Sequence, residues 1–152
     1  MRSLSMGKSV IPTIKTLMSA FPLHVDGQTP LAEAERLMAE KQIHHIVITR
    51  DDGSYGLLSD RDMQHHRSLY SGSSADEGLV VNDVCSEQAV CADINDPIDR
   101  ILDAMAEQHL GSVVVLREAE LAGIFTTTDI CRHFAQFLRQ ARDKGNIPDL
   151  IA

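Results

Sequence analysis

The apolar positions of the chain follow the same succession of patterns twice. Two stretches have the spacing of an amphipathic helix, with apolar residues at 31, 34, 37 and 38 and again at 98, 101, 102 and 105. Short extended pieces at 23–25 and 90–92 precede them, and β-branched runs at 46–49 and 113–115 follow as predicted buried strands. Partner strands at 55–59 and 121–126, with a turn at Asp51-Asp52-Gly53 before the first, lead into second helices near Asp60 and Thr127. The pattern predicts two strand-helix-strand-strand-helix units and a mixed α/β (α+β) fold.

A constant offset of 67 residues relates the two units without a gap from about residue 14 to residue 66. Identical residues recur at this offset: Asp26 and Asp93, Pro30 and Pro97, Gly56 and Gly123, Asp62 and Asp129. We therefore predict a first repeat at 12–69, a small polar linker at 70–79, a second repeat with a C-terminal helix at 80–142, and a tail at 143–152. A repeat of this size buries only about 60% of its unfolded surface alone, so the copies are predicted to pack together.

Capping signals predict where the helices begin and end. Thr29-Pro30 and Asp96-Pro97 each suggest an N-cap residue followed by proline at the first helical position. The last helix is predicted to run to about Lys144 and to stop at Gly145. Its apolar stripe consists of Ile130, Phe134, Phe137, Leu138 and Ala141. Whether the tail that follows docks on the module or on a partner is left open.

Composition narrows the class of protein. The 152 residues include 14 Lys and Arg against 22 Asp and Glu, and the net charge of −8 argues against nucleic-acid binding. The three cysteines contain no Cys-x-x-Cys spacing, which argues against a disulfide framework or a cysteine zinc site. No signal-peptide pattern and no membrane-length apolar run occurs. We expect a cytoplasmic protein that does not act at a membrane.

The junction between the last strand and the last helix of each unit carries the most specific motif. Gly56-Leu57-Leu58-Ser59-Asp60-Arg61-Asp62 and Gly123-Ile124-Phe125-Thr126-Thr127-Thr128-Asp129 share Gly, two apolar residues, a hydroxyl and, three residues later, Asp. Ser or Thr followed by an acidic residue at this spacing is also a helix-capping device worth about 1 kcal/mol. The same residues place a hydroxyl, free N–H groups and a carboxylate together, which suits a ribose with an attached phosphate.

These motifs resemble a tandem pair of CBS (cystathionine-β-synthase-type) domains, the stand-alone Bateman module, over about residues 14–138. The resemblance implies a pseudo-twofold pair that binds adenosine nucleotides (AMP, ADP or ATP) between the repeats, usually as a homodimer. It implies that Asp62 and Asp129 hold ribose hydroxyls, with Ser59 and Thr126 near the ribose or phosphate. The residues implied to flank the base are Pro22, Leu23, His24, His45 and Ile46 in one site, and Val90, Cys91, Ser112 and Val113 in the other.

The two junctions differ in their basic residues. Arg61 precedes the first motif aspartate, as in many members of the resembling family, whereas Thr128 precedes the second and Arg132 follows on the same helix. Gly111-Ser112 leaves space that His44-His45 fills in the other copy. We therefore expect the second site to be roomier and the first to grip phosphate better.

The resulting prediction is a regulatory module without catalytic residues, catalytic cofactor or metal, which signals to an unidentified regulated protein. Three alternatives stay open. The chain could be a dimeric interaction module with empty clefts, or a sensor of another adenosyl ligand such as S-adenosylmethionine or NAD. A metal-dependent enzyme could use the histidines, although the adjacent pairs His44-His45 and His65-His66 lack ligand spacing.

Overall fold

The computed structural model describes residues 11–70, 78–85 and 87–145. Most of the predicted linker and of the tail lies outside these residues. The described elements are a 3-10 turn (Ile14–Thr16), β1 (Ser19–Ala20), β2 (His24–Asp26), α1 (Leu31–Lys41), β3 (His45–Thr49), β4 (Tyr55–Ser59), α2 (Asp60–Tyr70), α3 (Val81–Val84), β5 (Cys91–Asp93), α4 (Ile98–Glu107), β6 (Ser112–Arg117), β7 (Glu120–Thr126) and α5 (Thr127–Asp143). The predicted mixed α/β class and the order of elements in each repeat are confirmed. The predicted stop of the last helix is confirmed too, with Gly145 at φ 66°.

The strands form two sheets, one for each repeat. In the first sheet β2 pairs parallel with β3, and β3 pairs antiparallel with β4. In the second, β5 pairs parallel with β6, β6 pairs antiparallel with β7, and β1 from the start of the chain adds to β7. His45 lies opposite Ser59 and Ser112 lies opposite Thr126. Each motif hydroxyl therefore has the first residue of its repeat's middle strand beside it.

The helix starts differ from the prediction by one residue. Pro30 and Pro97 are the N-cap residues, with extended ψ angles of 134° and 132°, and no side chain caps either helix. The first N–H of α1 donates instead to the carbonyl of Leu79 at 2.9 Å, and that of α4 donates to the carbonyl of Pro12 at 3.0 Å. Because these donors already have backbone partners, the predicted caps from Thr29 and Asp96 are wrong.

Each repeat is completed by the segment that precedes the other one. The leading segments 12–18 and 79–85 occupy equivalent positions before the two repeats, and each crosses to the opposite repeat. The Ile14 N–H donates to the Asp96 carbonyl at 3.0 Å, and the Val81 N–H donates to the Thr29 carbonyl at 2.9 Å. Both side chains are fully buried, Ile14 in the core of the second repeat and Val81 in the core of the first. Each leading segment therefore packs into the core of the repeat that it does not precede.

A third apolar cluster joins the repeats between the sheets. Val47 from β3, Val114 from β6 and Ile124 from β7 form its buried centre. Tyr55, Leu57, Ala89, Leu116 and Leu121 pack around that centre. The predicted packing of the two copies against each other is confirmed.

Candidate functional site

The first motif aspartate is held by the hydroxyl residue that precedes α2. The Ser59 N–H donates to Asp62 Oδ2 at 2.8 Å, and the Ser59 hydroxyl donates to the same oxygen at 2.7 Å. The Asp62 N–H approaches Ser59 Oγ at 3.2 Å in return. This reciprocal capping box fixes one carboxylate oxygen at the helix start. The second oxygen is left to accept hydrogen bonds from elsewhere.

The second motif aspartate has the same cap and two further partners. The Thr126 N–H and hydroxyl both donate to Asp129 Oδ2 at 2.9 Å. Arg132 Nη1 donates to Asp129 Oδ1 at 3.1 Å, and the Ser19 hydroxyl lies 3.4 Å from that oxygen. Asp129 is 5% exposed, and among the described residues it is the only charged one that is buried. The geometry thus shows the structural role of both motifs directly, and the carboxylates differ in how much acceptor capacity remains.

The motif glycines admit close neighbours that a side chain would displace. A Cβ on Gly56 would lie 2.7 Å from Nη2 of Arg50, and a Cβ on Gly123 would lie 2.4 Å from Sδ of Met18 and 3.0 Å from the Ser19 carbonyl oxygen. Arg50 Nη2 donates to the carbonyls of Cys85 at 2.7 Å and Glu87 at 3.1 Å. Gly123 therefore lets the leading chain of the first repeat approach β7, whereas Gly56 leaves room for the Arg50 side chain that holds the leading chain of the second repeat.

Asp62 opens into a cleft of about 590 Å³ between the repeats. We call it the Asp62 cleft. Its floor and walls come from β4, from the leading chain of the second repeat, and from the turn before β6. The lining residues are Leu57, Asp62, Val84, Cys85, Glu87, Gln88, Ala89, Val90, His109, Leu110, Gly111 and Ser112. A Cβ on Gly111 would meet no atom within 4 Å, so the space that the sequence predicts at Gly111-Ser112 is present.

Asp129 opens into the pseudo-symmetric counterpart, a cleft of about 390 Å³ that we call the Asp129 cleft. Its lining residues are Ser19, Phe21, Pro22, Leu23, Lys41, Ile43, His44, His45, Ile124, Thr126, Thr128, Asp129 and Arg132. Many of these are the repeat equivalents of residues in the Asp62 cleft, as Leu23 is of Val90 and His45 is of Ser112. The two clefts are therefore built largely from equivalent positions of the two repeats.

The clefts are assembled crosswise, which corrects the predicted place of the space at Gly111-Ser112. Asp62 faces Val90 and Ser112 of the second repeat, whereas Asp129 faces Leu23 and His45 of the first. That space is predicted for the second site, beside Asp129, and the structure places it beside Asp62 instead. The exchange of the leading segments carries residues 19–23 over the second repeat and 84–90 over the first, so the partners are reversed.

Four predicted base-side residues line neither cleft. Ile46 and Val113 are buried in the cores of the first and second repeats. His24 and Cys91 are exposed, with His24 Nδ1 3.4 Å from the Pro22 carbonyl oxygen and Cys91 Sγ 3.5 Å from that of Ala89. Each of the four adjoins a residue that does line a cleft, and successive strand residues point to opposite faces.

The residues on which the predicted ranking of the two sites depends lie in other cavities than expected. Because Gly111 and Ser112 belong to the Asp62 cleft, that cleft is the larger one, at about 590 Å³ against 390 Å³. The cations of the Asp129 cleft are Lys41 and Arg132, and Arg61 lies instead in a third cavity.

This central cavity, about 390 Å³, lies between the clefts and shares residues with both. Ser59, Arg61 and Asp62 reach it from the first motif, and Thr127 from the second. Nδ1 of His44 lies 2.5 Å from Asp60 Oδ2 across it. The corresponding residues of the second repeat are Gly111 and Thr127, which cannot form an ion pair.

Burial changes the protonation of groups around the clefts. Burial, with a smaller contribution from His44, lowers the pKa of His45 below its usual value, and the carboxylates of Asp60, Asp62 and Asp129 oppose the shift. His45 is therefore a neutral hydrogen-bonding group at pH 7. Burial raises the pKa of the Cys85 thiol, which donates to the Leu57 carbonyl at 3.0 Å, and also that of Cys91. Neither of these cysteines is a thiolate at neutral pH.

Sequence reasoning missed several residues of the clefts. Lys41 and Phe21 in the Asp129 cleft and Ala89 in the Asp62 cleft were not assigned. The repeat offset contained part of the signal, because Pro22 was assigned and Ala89 is its repeat equivalent. Lys41 had no such signal, since its counterpart is Gln108.

The fold and the paired clefts define a two-repeat module that can contact a small ligand from both repeats. The model of the CBS domain family matches residues 14–68 and 81–136. The chain belongs to the CBS domain family. Within the described residues, no helix combines the length and apolar character needed to cross a membrane.

Three similar proteins illustrate the range of the family. L-aspartate semialdehyde sulfurtransferase of Methanocaldococcus jannaschii is 22% identical over 129 residues, which are 84% of this chain but 24% of that protein. The chain thus spans about a quarter of that relative. A CBS domain pair crystallised with 5′-methylthioadenosine and S-adenosyl-L-methionine has a TM-score of 0.69 at 21% identity, covering 84% of this chain and 98% of that one. CBSX2 in complex with AMP has a TM-score of 0.66 at 21% identity, covering 82% and 97%.

Proposed function

We propose that this chain is a regulatory ligand-sensing module that binds adenosine nucleotides, AMP, ADP or ATP, in clefts between the two repeats. The observation that carries the proposal is the crosswise construction of each cleft. A carboxylate at the helix start of one repeat faces an apolar wall from the other repeat, so one ligand touches both. Volumes of about 390 and 590 Å³ lie within the range of roughly 300–1,000 Å³ typical of small-molecule sites.

The chemistry of the clefts suits a nucleoside. The free oxygen of Asp62 accepts hydrogen bonds from a ribose diol, while its other oxygen stays in the capping box with Ser59. Leu57, Val90 and Leu110 offer an apolar surface for a purine. The AMP complex of CBSX2 and the complex of another CBS pair with 5′-methylthioadenosine and S-adenosylmethionine support this class of ligand.

A ligand that bridges the repeats can shift their arrangement. It stabilises whichever relative position of the two sheets gives both sets of contacts, and the difference in its affinity for the two states sets the size of the shift. We propose that this change is read by a separate regulated protein. The chain acts in this proposal as a binding module without catalysis, in the cytoplasm.

A homodimer is part of the proposal. Of the predicted stripe on α5, Ala141 is buried, whereas Phe134 and Phe137 are 48% and 49% exposed. Their rings stack with centroids 6.3 Å apart, leaving an apolar patch on the outside of the helix. A second copy would cover this patch. Sedimentation equilibrium of wild type and Phe137→Ser tests it: the variant should shift to monomer, and an unchanged mass would rule this surface out.

Calorimetric titration tests nucleotide sensing. AMP, ADP, ATP, NAD and S-adenosylmethionine are titrated into wild type, Asp62→Asn and Asp129→Asn. Asparagine keeps an oxygen for the capping box but replaces the other carboxylate oxygen with an amide donor, so binding should weaken while folding persists. Asp96→Asn is the matched control, since Asp96 accepts a backbone hydrogen bond from Asp93 at 2.9 Å outside both clefts.

The outcomes separate the alternatives. Binding that one motif variant abolishes and the control retains supports the proposal. No heat with any ligand, for folded protein stripped of bound nucleotide, would contradict it and favour a dimeric interaction module. Preference for NAD or S-adenosylmethionine over all three nucleotides would favour a different adenosyl sensor.

A further inference from the structure

The two clefts share a plan but carry opposite charge. Lys41 and Arg132 line the Asp129 cleft, and the residues at their counterpart positions are Gln108 and His65. None of the described residues that line the Asp62 cleft is Lys or Arg, and Glu87 adds a second carboxylate there. The two clefts occupy equivalent positions in the repeats and can be compared residue by residue. They match in position and backbone but differ in the charge of their lining side chains.

Two arginines lie near the Asp62 cleft without lining it. The Arg50 guanidinium is occupied by Asn82 Oδ1 and by the carbonyls of Cys85 and Glu87. Arg61 lies in the central cavity on the first turn of α2, between Asp60 and Asp62. Two carboxylates and one guanidinium leave that turn with a net negative charge. An anion that reached the central cavity from the Asp62 cleft would therefore meet net repulsion.

Arg132 is held where it can bind an anion. Its Nη1 donates to Asp129 Oδ1 at 3.1 Å, while 65% of the side chain is exposed. A guanidinium has five N–H donors in a planar fork, so most of them stay available to a phosphate oxygen. Lys41 follows at the end of α1 as a second cation on the same lining.

We propose that the Asp129 cleft takes a nucleoside phosphate and that the Asp62 cleft takes a nucleoside whose 5′ substituent carries no negative charge. This inference rests on the proposed function and divides its ligands between the clefts. Val84, Cys85 and Leu110 give the Asp62 cleft an apolar lining that suits a thioether tail rather than a phosphate.

Phe21 provides the Asp129 cleft with a face for the base. Its ring is 95% exposed at the mouth of the cleft, and its backbone has a φ of 52°, in the left-handed region. The Phe21 N–H donates to the Ala122 carbonyl at 3.3 Å, which holds the backbone at Phe21 beside the motif strand. Stacking of a base on an aromatic ring is favourable and tolerates different bases. The counterpart in the Asp62 cleft is Gln88.

The test uses AMP and 5′-methylthioadenosine as probes, because both carry adenosine and only AMP carries phosphate. Titration calorimetry on Lys41→Gln and Phe21→Gln replaces each Asp129-cleft residue with the type found at its counterpart. Both variants should weaken AMP, Lys41→Gln by about tenfold through the loss of one charge-assisted contact and Phe21→Gln by about fivefold or more. Lys15→Gln, which removes an exposed lysine outside the clefts, is the charge-matched control.

The second arm assigns 5′-methylthioadenosine. Its affinity should fall at least tenfold in Asp62→Asn and stay within twofold in Lys41→Gln. AMP affinity should fall as salt is raised, because exposed charge pairs are screened, and that of 5′-methylthioadenosine should not. Loss of both ligands in the same cleft variant would overturn the division of ligands and leave nucleotide sensing intact. Failure of one of the two ligands to bind wild type would also overturn the division of ligands, whereas failure of both would contradict the proposed function itself.

Discussion

The two leading segments perform the same task but are fastened differently. Both cross to the opposite repeat and satisfy the first N–H of its helix, through the carbonyls of Pro12 and Leu79. Beyond that point the first continues as β1 and pairs with β7 at Ser19 and Ala20. The second is held by the guanidinium of Arg50, which also donates to Asn82 Oδ1 at 3.0 Å. One cleft wall is thus held by strand pairing. The other is held by the Arg50 guanidinium, by the Cys85 thiol on the Leu57 carbonyl and by an isolated backbone hydrogen bond from the Ala89 N–H to the Tyr55 carbonyl at 2.8 Å.

Residues at equivalent positions of the two repeats can therefore have different roles. Arg50 and Arg117 are repeat equivalents, but Arg50 donates to Asn82, Cys85 and Glu87 whereas Arg117 is exposed. Backbone pairing leaves the second arginine without that task. The wall of the Asp62 cleft should therefore be the easier one to loosen by a side-chain substitution, and the following variants test this difference.

The largest effect is expected from Ile14→Ala. Ile14 precedes the first repeat but is fully buried in the core of the second, so its truncation should lower the free energy of unfolding by about 2–5 kcal/mol. Urea denaturation measures it. Ile11→Ala is the control, because Ile11 is half exposed on the same segment and should cost less than about 1 kcal/mol. Equal small losses in both variants would contradict the exchange of leading segments.

The motif glycines should respond unequally to alanine. In Gly123→Ala the new Cβ meets Met18 Sδ and the backbone oxygen of Ser19, so β1 must move and the free energy of unfolding should fall by about 1–3 kcal/mol. In Gly56→Ala the obstacle is the guanidinium of Arg50, a side-chain end, and the loss should be smaller. Chemical denaturation of both variants checks the order, and the reverse order would contradict the difference in fastening.

Arg50→Lys keeps the positive charge at position 50 but should loosen the wall of the Asp62 cleft. A lysine cannot reproduce the fork that donates to Asn82, Cys85 and Glu87, so we expect a loss of about 1–2 kcal/mol in unfolding free energy. Hydrogen exchange of residues 82–90 should rise in this variant. Arg117→Lys is the matched control and should leave exchange unchanged; equal effects from both substitutions would refute the special role of Arg50.

The smallest effect concerns pH. Burial lowers the pKa of His45 in the folded protein below its usual value of 6.5, so protonation favours the unfolded chain. The stabilising effect of neutral His45 is complete above 6.5 and is lost as pH falls toward the folded pKa. The groups facing it are His44, Asp60, Asp62 and Asp129. Urea midpoints from about pH 8 to about pH 5 should fall less steeply for His45→Ser, which copies Ser112, than for wild type. Parallel curves would contradict this assignment.

The repeat and its local elements could be predicted from the sequence because they depend on short-range patterns. Three of these patterns are visible directly in the sequence, and the structure contains each of them. They are the constant repeat offset, the β-branched middle strands, and the spacings from Ser59 to Asp62 and from Thr126 to Asp129. The resemblance to CBS pairs agrees with the family match over both repeats.

The assembly of the clefts depends on long-range packing that the same patterns do not encode. Nothing in the sequence near Ile14 indicates that it packs in the second repeat, and the crossed partners of Asp62 and Asp129 follow from that exchange. The predicted caps from Thr29 and Asp96 were wrong for the same reason, since the carbonyls that replace them come from the other leading segment. Strand alternation could have excluded Ile46 and Val113, which adjoin His45 and Ser112.

The crosswise cleft is most directly tested by a crystal structure of the protein with bound 5′-methylthioadenosine. The account predicts a ribose hydroxyl within hydrogen-bond distance of the Asp62 carboxylate and the base against Val90, Leu110 and Ser112 of the second repeat. A ribose at Asp62 with its base against Leu23 and His45 of the first repeat would contradict it.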